Sequence, residues 1–124
     1  MKKRGFTLIE LLVAMSIIAV LAAIGLSSYG FSQKRARDAR RRADLESVRS
    51  AMEIYRADNS ATGYPNTNYS GLSGFLIPNY LSAMPVDPKN ISPYSYTYAG
   101  GGNIYTLCAA QLEQTAVSYC LSPP

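Results

Sequence analysis

Lys2-Lys3-Arg4-Gly5-Phe6-Thr7-Leu8-Ile9-Glu10 runs straight into LLVAMSIIAVLAAIGLSSYGFSQ, residues 11–33, a stretch of 23 residues without a charge. At 1.5 Å per residue a helix of that length extends ~34 Å, enough to cross a bilayer core. Glu10 stands at the mouth of the run. An ionised carboxylate is unfavourable in such surroundings unless a cation or hydrogen-bond donors meet it. What meets it is the first functional question.

The rest of the composition narrows the answer. With 124 residues the chain holds one domain at most. Its net charge of +4 is local, because Lys2, Lys3 and Arg4 supply three of the twelve basic residues. Residues 34–56 carry eight Lys/Arg against four Asp/Glu, and residues 57–124 carry one Lys against three acids. The absence of histidine removes the commonest general base and metal ligand. No nucleophile–base pair, phosphate loop or metal cluster is visible, so an enzyme is disfavoured, with no catalytic residue, metal site or cofactor expected. Cys108 and Cys120 alone cannot make a four-ligand zinc site. In an exported chain with a small soluble part they read as a disulfide, against the alternative of two buried thiols.

Three readings of the N-terminus compete. An ordinary signal peptide fits the basic start, but Glu10 then opens the apolar region and the run is too long. A plain anchor explains the length and leaves Glu10 unexplained. Taken together, the basic residues 2–4, Gly5, Phe6, Glu10 and the following apolar run resemble the class III leader of type IV pilins and type II secretion pseudopilins.

That resemblance implies a set of roles. A prepilin peptidase/methyltransferase cuts between Gly5 and Phe6 and N-methylates Phe6, keeping a cationic amine. In a growing filament Glu10 of one subunit pairs with the Phe6 amine of a neighbour and fixes axial register, as buried polar groups do in coiled coils. The alternative for Glu10 is local: a favourable helix dipole in the first turn, or the amine of its own chain. The implied partners are copies of the chain and other pilin-like subunits, the lipid bilayer, and a membrane assembly platform with a cytoplasmic ATPase. The implied location is a single pass through the cytoplasmic membrane with the head outside the cytoplasm, then an extracellular or periplasmic filament. Many family members have a proline where Ser27 stands; without it, at most local fraying is expected across Gly25–Gly30.

Residues 34–59 contain no Pro or Gly and predict a basic amphipathic helix continuing the spine, ~80 Å from Phe6 to Asp58. Leu45, Val48, Met52 and Tyr55 form one stripe, joined by Ala51 and flanked by Ile54. Asp58-Asn59-Ser60 and Gly63-Tyr64-Pro65 end it. Lys34, Arg35, Arg37, Arg40, Arg41 and Arg42 are candidates for contact with lipid headgroups or acids of adjacent subunits. Nucleic acid is the weaker alternative, because Asp38 interrupts the run and no aromatic residue interleaves with it. Both flanks of the span are basic, so charge counting does not orient it.

Residues 60–124 predict a head of loops and sheet. Five prolines and three glycines make 60–93 mostly loop. Tyr64-Pro65, Gly71-Leu72, Tyr80-Leu81 and Pro85-Val86-Asp87-Pro88 resemble the spaced pattern of major pseudopilins. The corresponding family loop often binds calcium, but Asp87 is the only acid here before Glu113, too few for a hard cation. Tyr94, Tyr96 and Tyr98 alternate and share a face, with core packing favoured over an adhesive row. Gly100-Gly101-Gly102-Asn103 is a turn. If Cys108 opposes Cys120, then 110–118 and 112–116 also pair, closed by a three-residue loop, Glu113-Gln114-Thr115. Tyr105, Leu107, Val117, Tyr119 and Leu121 then face the helix stripe, with the disulfide outward.

The domains are therefore leader 1–5, membrane or filament-core helix 6–33, basic helix 34–59 and head 60–124. The fold class is α+β: a long N-terminal helix with an antiparallel sheet of about three strands. The expected function is a structural subunit of a type IV pilus-type filament, the alternatives being a secretion pseudopilin and a DNA-uptake or adhesive pilin.

Overall fold

The computed structural model describes residues 5–124, apart from the side chain of Ser27, so the basic leader residues 2–4 lie outside the described part. The chain comprises two units, Met1–Lys34 and Arg35–Pro124. One helix, α1 (Leu8–Asp58), contributes to both and is unbroken through Gly25–Gly30.

In the first unit α1 presents large apolar side chains in every direction: Leu8 is 90% exposed, Ile18 65%, Leu21 64% and Phe31 59%. A surface helix of a soluble protein carries one apolar stripe, whereas this one is apolar all round, the pattern of a helix whose surroundings are themselves apolar. The segment is long and apolar enough to cross a membrane.

The second unit is an α+β head. The stripe on α1 is buried as the spacing predicts: Leu45, Val48, Ala51 and Met52 are at most 2% exposed, Tyr55 is half-buried and Ile54 exposed. The connection that follows is largely irregular, with a 3-10 turn (Ser70–Leu72) and one short helix, α2 (Ser73–Leu76), which bury Leu72 and Leu76. Three antiparallel strands complete the fold: β1 (Tyr96–Gly101), β2 (Ile104–Ala109) and β3 (Tyr119–Leu121), in the order β1-β2-β3. Gly101 pairs with Ile104 across a two-residue turn that needs Gly102 at φ 63°.

The core is rich in tyrosine. Tyr64, Tyr96, Tyr98 and Tyr105 are nearly buried beside Leu107 and Ala109. Each ring fills volume while its hydroxyl finds a fixed acceptor, which makes such burial tolerable. Tyr96 donates to Asp44 at 2.8 Å, Tyr98 to Pro65 O at 2.9 Å, and Tyr64 to Glu53 at 2.9 Å. Tyr94 is half-buried, so the alternating tyrosines pack inward as expected.

The Cys108–Cys120 register holds, with Leu107 opposite Leu121 and Ala109 opposite Tyr119. The cysteines face away from the helix: Cys120 is exposed, while Tyr105 and Leu107 are buried on the other face. Beyond Ala109 the expected pairing fails. Leu112 N–H donates to Val117 O at 2.9 Å and Ala116 N–H to Leu112 O at 3.0 Å, so the loop has four residues, 113–116, with Ala116 at φ 55°. The pairs 110–118 and 112–116 are replaced by an offset of one residue, a bulge that reverses the alternation of faces. The extra residue lies between Ala109 and Leu112 and turns Leu112 inward to 5% exposure, while Val117 is 60% exposed instead of lying on the core face.

The disulfide joins residues 12 apart, a closure that chain entropy values at about 3 kcal/mol. The double variant Cys108→Ser/Cys120→Ser is expected to lower the melting temperature of the head by roughly 10–20 °C, followed by thermal unfolding of the detergent-solubilised chain. A shift of a degree or two would mean that the tyrosine core alone holds β3 in place.

Candidate functional site

Two places carry the candidate residues, one in each unit. At the start of α1, Thr7 occupies the cap position and Glu10 the third position of the first turn. Glu10 Oε2 accepts from Thr7 N–H at 3.0 Å and from Thr7 Oγ1 at 2.8 Å, while Glu10 N–H donates to Thr7 Oγ1 at 3.3 Å. This is a reciprocal capping box, and it satisfies main-chain donors that have no partner inside the helix. The spacing Thr7-Leu8-Ile9-Glu10 is its sequence signature, so Thr7 was legible and belongs with the candidates. Gly5 and Phe6 precede the helix and are exposed, Phe6 at 85%. Among the described residues the carboxylate thus has donors but no cation.

The second place is an ion cluster in the head. Arg41 is fully buried and binds Asp87 through two parallel bonds, Nε–Oδ2 at 2.7 Å and Nη2–Oδ1 at 3.0 Å. Its Nη1 also donates to Asp38 at 2.7 Å and to Glu113 at 3.1 Å. Arg37 grips Glu113 through Nε and Nη2, both at 2.7 Å, and Lys89 Nζ approaches Glu113 at 3.1 Å. Three cations thus face three carboxylates. Asp38 also accepts the main-chain N–H groups of Glu113 and Gln114, at 2.8 and 3.0 Å, which draws the four-residue loop onto α1. The charges explain why this loop departs from a simple hairpin.

The carboxyls respond accordingly. Hydrogen bonding from Arg37, against the opposing cost of desolvation and with help from Lys89 and Arg41, pulls Glu113 down to about 2. Asp87 is raised by desolvation but lowered more by Arg41 and by the N–H groups of Lys89 and Asn90, for a net downward shift. Bonds to Asp87 drive Arg41 upward against its own desolvation, so the guanidinium stays charged. Both oxygens of Asp87 are occupied by Arg41. Among the described residues, no group of three or more His, Cys, Asp or Glu stands at metal-holding spacing.

The six basic residues consequently do not act as one patch. Lys34, Arg35, Arg40 and Arg42 are exposed, Arg37 is half-buried on Glu113, and Arg41 is inside the core. At 100° per residue, Arg35 and Arg42 share one flank of α1, Arg37 and Arg40 lie on the other, and Arg41 points between them. Arg40 reaches Asp44 at 3.9 Å and Arg42 lies over the Tyr119 ring at 5.4 Å. A phosphate-tracking stripe needs one face, and this arrangement does not provide it. The missed signal was positional: Arg41 is four residues before Leu45, on the buried stripe itself, with Asp38 three residues earlier.

An apolar helix with a capped acid at its start, followed by a small α+β head tied to the same helix by buried charge, defines a helix-anchored structural subunit. The description "Prokaryotic N-terminal methylation motif" matches residues 1–26. The chain is 40% identical over 91 residues to the pilin-like protein PilA3 of Thermus thermophilus, covering 71% of this chain and 39% of that protein. It is 30% identical over 112 residues to the type II secretion system core protein G of Pseudomonas aeruginosa, covering 80% of this chain and 76% of that protein. The Escherichia coli protein of the same name is 29% identical over 122 residues, covering 88% and 81%. No solved structure shows significant similarity. The chain belongs to the type IV pilin and pseudopilin family, whose members are structural filament subunits.

Proposed function

We propose that this chain is cleaved between Gly5 and Phe6, methylated on Phe6, held in the cytoplasmic membrane by the apolar part of α1, and then lifted into a helical filament. The observation that carries this is the helix whose apolar side chains are exposed on every side. Lipid satisfies that surface in the waiting subunit, and neighbouring helices satisfy it equally well in a filament, so extraction exchanges one apolar contact for another. Glu10 selects the register, because the methylated amine of a neighbour supplies a cation for its carboxylate. A peptidase, an assembly platform and a cytoplasmic ATPase are the partners this cycle requires.

Of the two settings for such a filament, the short pseudopilus of a type II secretion system is the better supported. The core protein G relatives align over most of both chains, with 76% and 81% of their lengths covered, whereas the Thermus match covers 39% of that protein. The exposed arginines on both flanks of α1 then serve as headgroup contacts in the membrane and as partners for acids of adjacent subunits.

Mass spectrometry of the membrane-extracted protein is expected to show a chain beginning at Phe6 with one added methyl group. A start near residue 24 would mean removal of an ordinary signal peptide and would end the filament reading.

A further inference from the structure

The three-stranded sheet has two open sides. Its order is β1-β2-β3, so β1 and β3 each have one side without a strand. Ala110 N–H donates to Ser95 O at 2.9 Å, making that pair a hydrogen-bonded one. Antiparallel ladders alternate, and Tyr96 opposes Ala109 while Tyr98 opposes Leu107, so the N–H and C=O groups of Tyr96 and Tyr98 point away from β2. The same alternation carried through Cys108 opposite Cys120 turns the Cys120 main chain outward from β3. Among the described residues, no backbone partner meets either set.

Edges of this kind are usually blunted by charge, proline or a covering segment. Residues 94–101 and 116–122 contain no charged residue and no proline, and they end at Pro93 and Pro123 respectively. A cleft of about 350 Å³ separates Tyr96, Thr97 and Tyr98 from Tyr69 and Ser70, so the edge is open there, whereas just beyond β1 Tyr64 N–H donates to Gly102 O at 2.7 Å and closes that end. Residues 114–118 are exposed throughout and continue directly into β3.

We propose that the open edge of β1 in one copy receives residues 117–122 of a second copy, joining the sheets of neighbouring heads. The surfaces are different on donor and acceptor, and such a contact propagates instead of closing into a dimer, which is the form a filament requires. This rests on the filament reading above. Edge pairing is weak by itself and takes effect once packed helices hold the heads at high local concentration.

The test uses filaments assembled from two isotopically distinct copies of the full chain, with the photocrosslinker benzoylphenylalanine at Thr97. Irradiation is expected to join position 97 of one copy to the 117–122 peptide of the other, at least tenfold more in filaments than in detergent-dispersed subunits. Ser118→Pro removes a donor on the outer side of this stretch, so it should abolish the crosslink while leaving the melting temperature of the head unchanged. If filaments form but the crosslink is absent, or lands on another region or another protein, edge pairing is wrong and the filament reading stands. If the processed wild-type chain forms no filaments, that reading fails and this inference with it.

Discussion

Replacing Arg41 with methionine is expected to cost the head about 3–5 kcal/mol at neutral pH, the loss typical of removing one partner from a buried ion cluster. Three carboxylates depend on this guanidinium, and the side chains of Asp38, Asp87 and Glu113 are 4%, 1% and 2% exposed. Methionine fills much of the volume but leaves those acids with fewer donors. A small domain is stable by roughly 5–15 kcal/mol, so the variant head sits near its unfolding threshold. Arg41→Lys should recover little, because an ammonium cannot form the paired bonds to Asp87. The pH dependence separates charge from packing. Glu113, normally near 4.5, titrates near 2 in the fold, and Asp87 is shifted in the same direction. Depressed carboxyls stabilise the wild-type head fully above their unfolded values, and that contribution disappears as pH falls from about 4.5 toward about 2. In the methionine variant protonation instead relieves stranded charge. The stability gap, measured by urea unfolding with tyrosine fluorescence, should therefore narrow on acidification. An equal gap at neutral and acidic pH would mean that Arg41 acts through shape alone.

The same residue marks the limit of what local sequence pattern encodes. The helix stripe, the end of α1 near Asp58, the three strands and the cysteine register all followed from periodicity, turn residues and opposed pairs. Those are local rules, and local rules hold where each segment buries one face. Charge runs usually lie in solvent, which groups Arg41 with Arg40 and Arg42, yet its spacing to Leu45 places it inside. Its partners Asp87 and Glu113 are 46 and 72 residues away, so no local pattern could connect them. The bulge after Ala109 was hidden for the same reason. Hairpin rules give a three-residue loop, but Asp38 captures two loop N–H groups and one extra residue is taken up between Ala109 and Leu112. Leu112 is thereby turned into the core, and residues 114–118 lie exposed before β3.

Glu10→Gln is the substitution that separates the two roles open to this carboxylate. Glutamine retains the capping geometry, since its side-chain oxygen can accept from Thr7 just as Glu10 Oε2 does at 3.0 and 2.8 Å. What it removes is charge. If Glu10 serves only to cap α1, the variant should be processed, membrane-held and assembled like the wild type. If it recruits the amine of a neighbouring Phe6, processed and methylated subunits should accumulate in the membrane while sheared filaments fall at least about tenfold, the change given by losing roughly 1.4 kcal/mol of assembly free energy per added subunit. Glu10→Ala removes both functions, so any further deficit it shows over Glu10→Gln reports the cap alone. Thr7→Ala provides the converse: it weakens the cap and leaves the acid. Filaments from Thr7→Ala together with none from Glu10→Gln would locate the requirement in the charge. Filaments at normal yield from Glu10→Gln would show that register in this family member is set by packing of the apolar helices, without an ionic key.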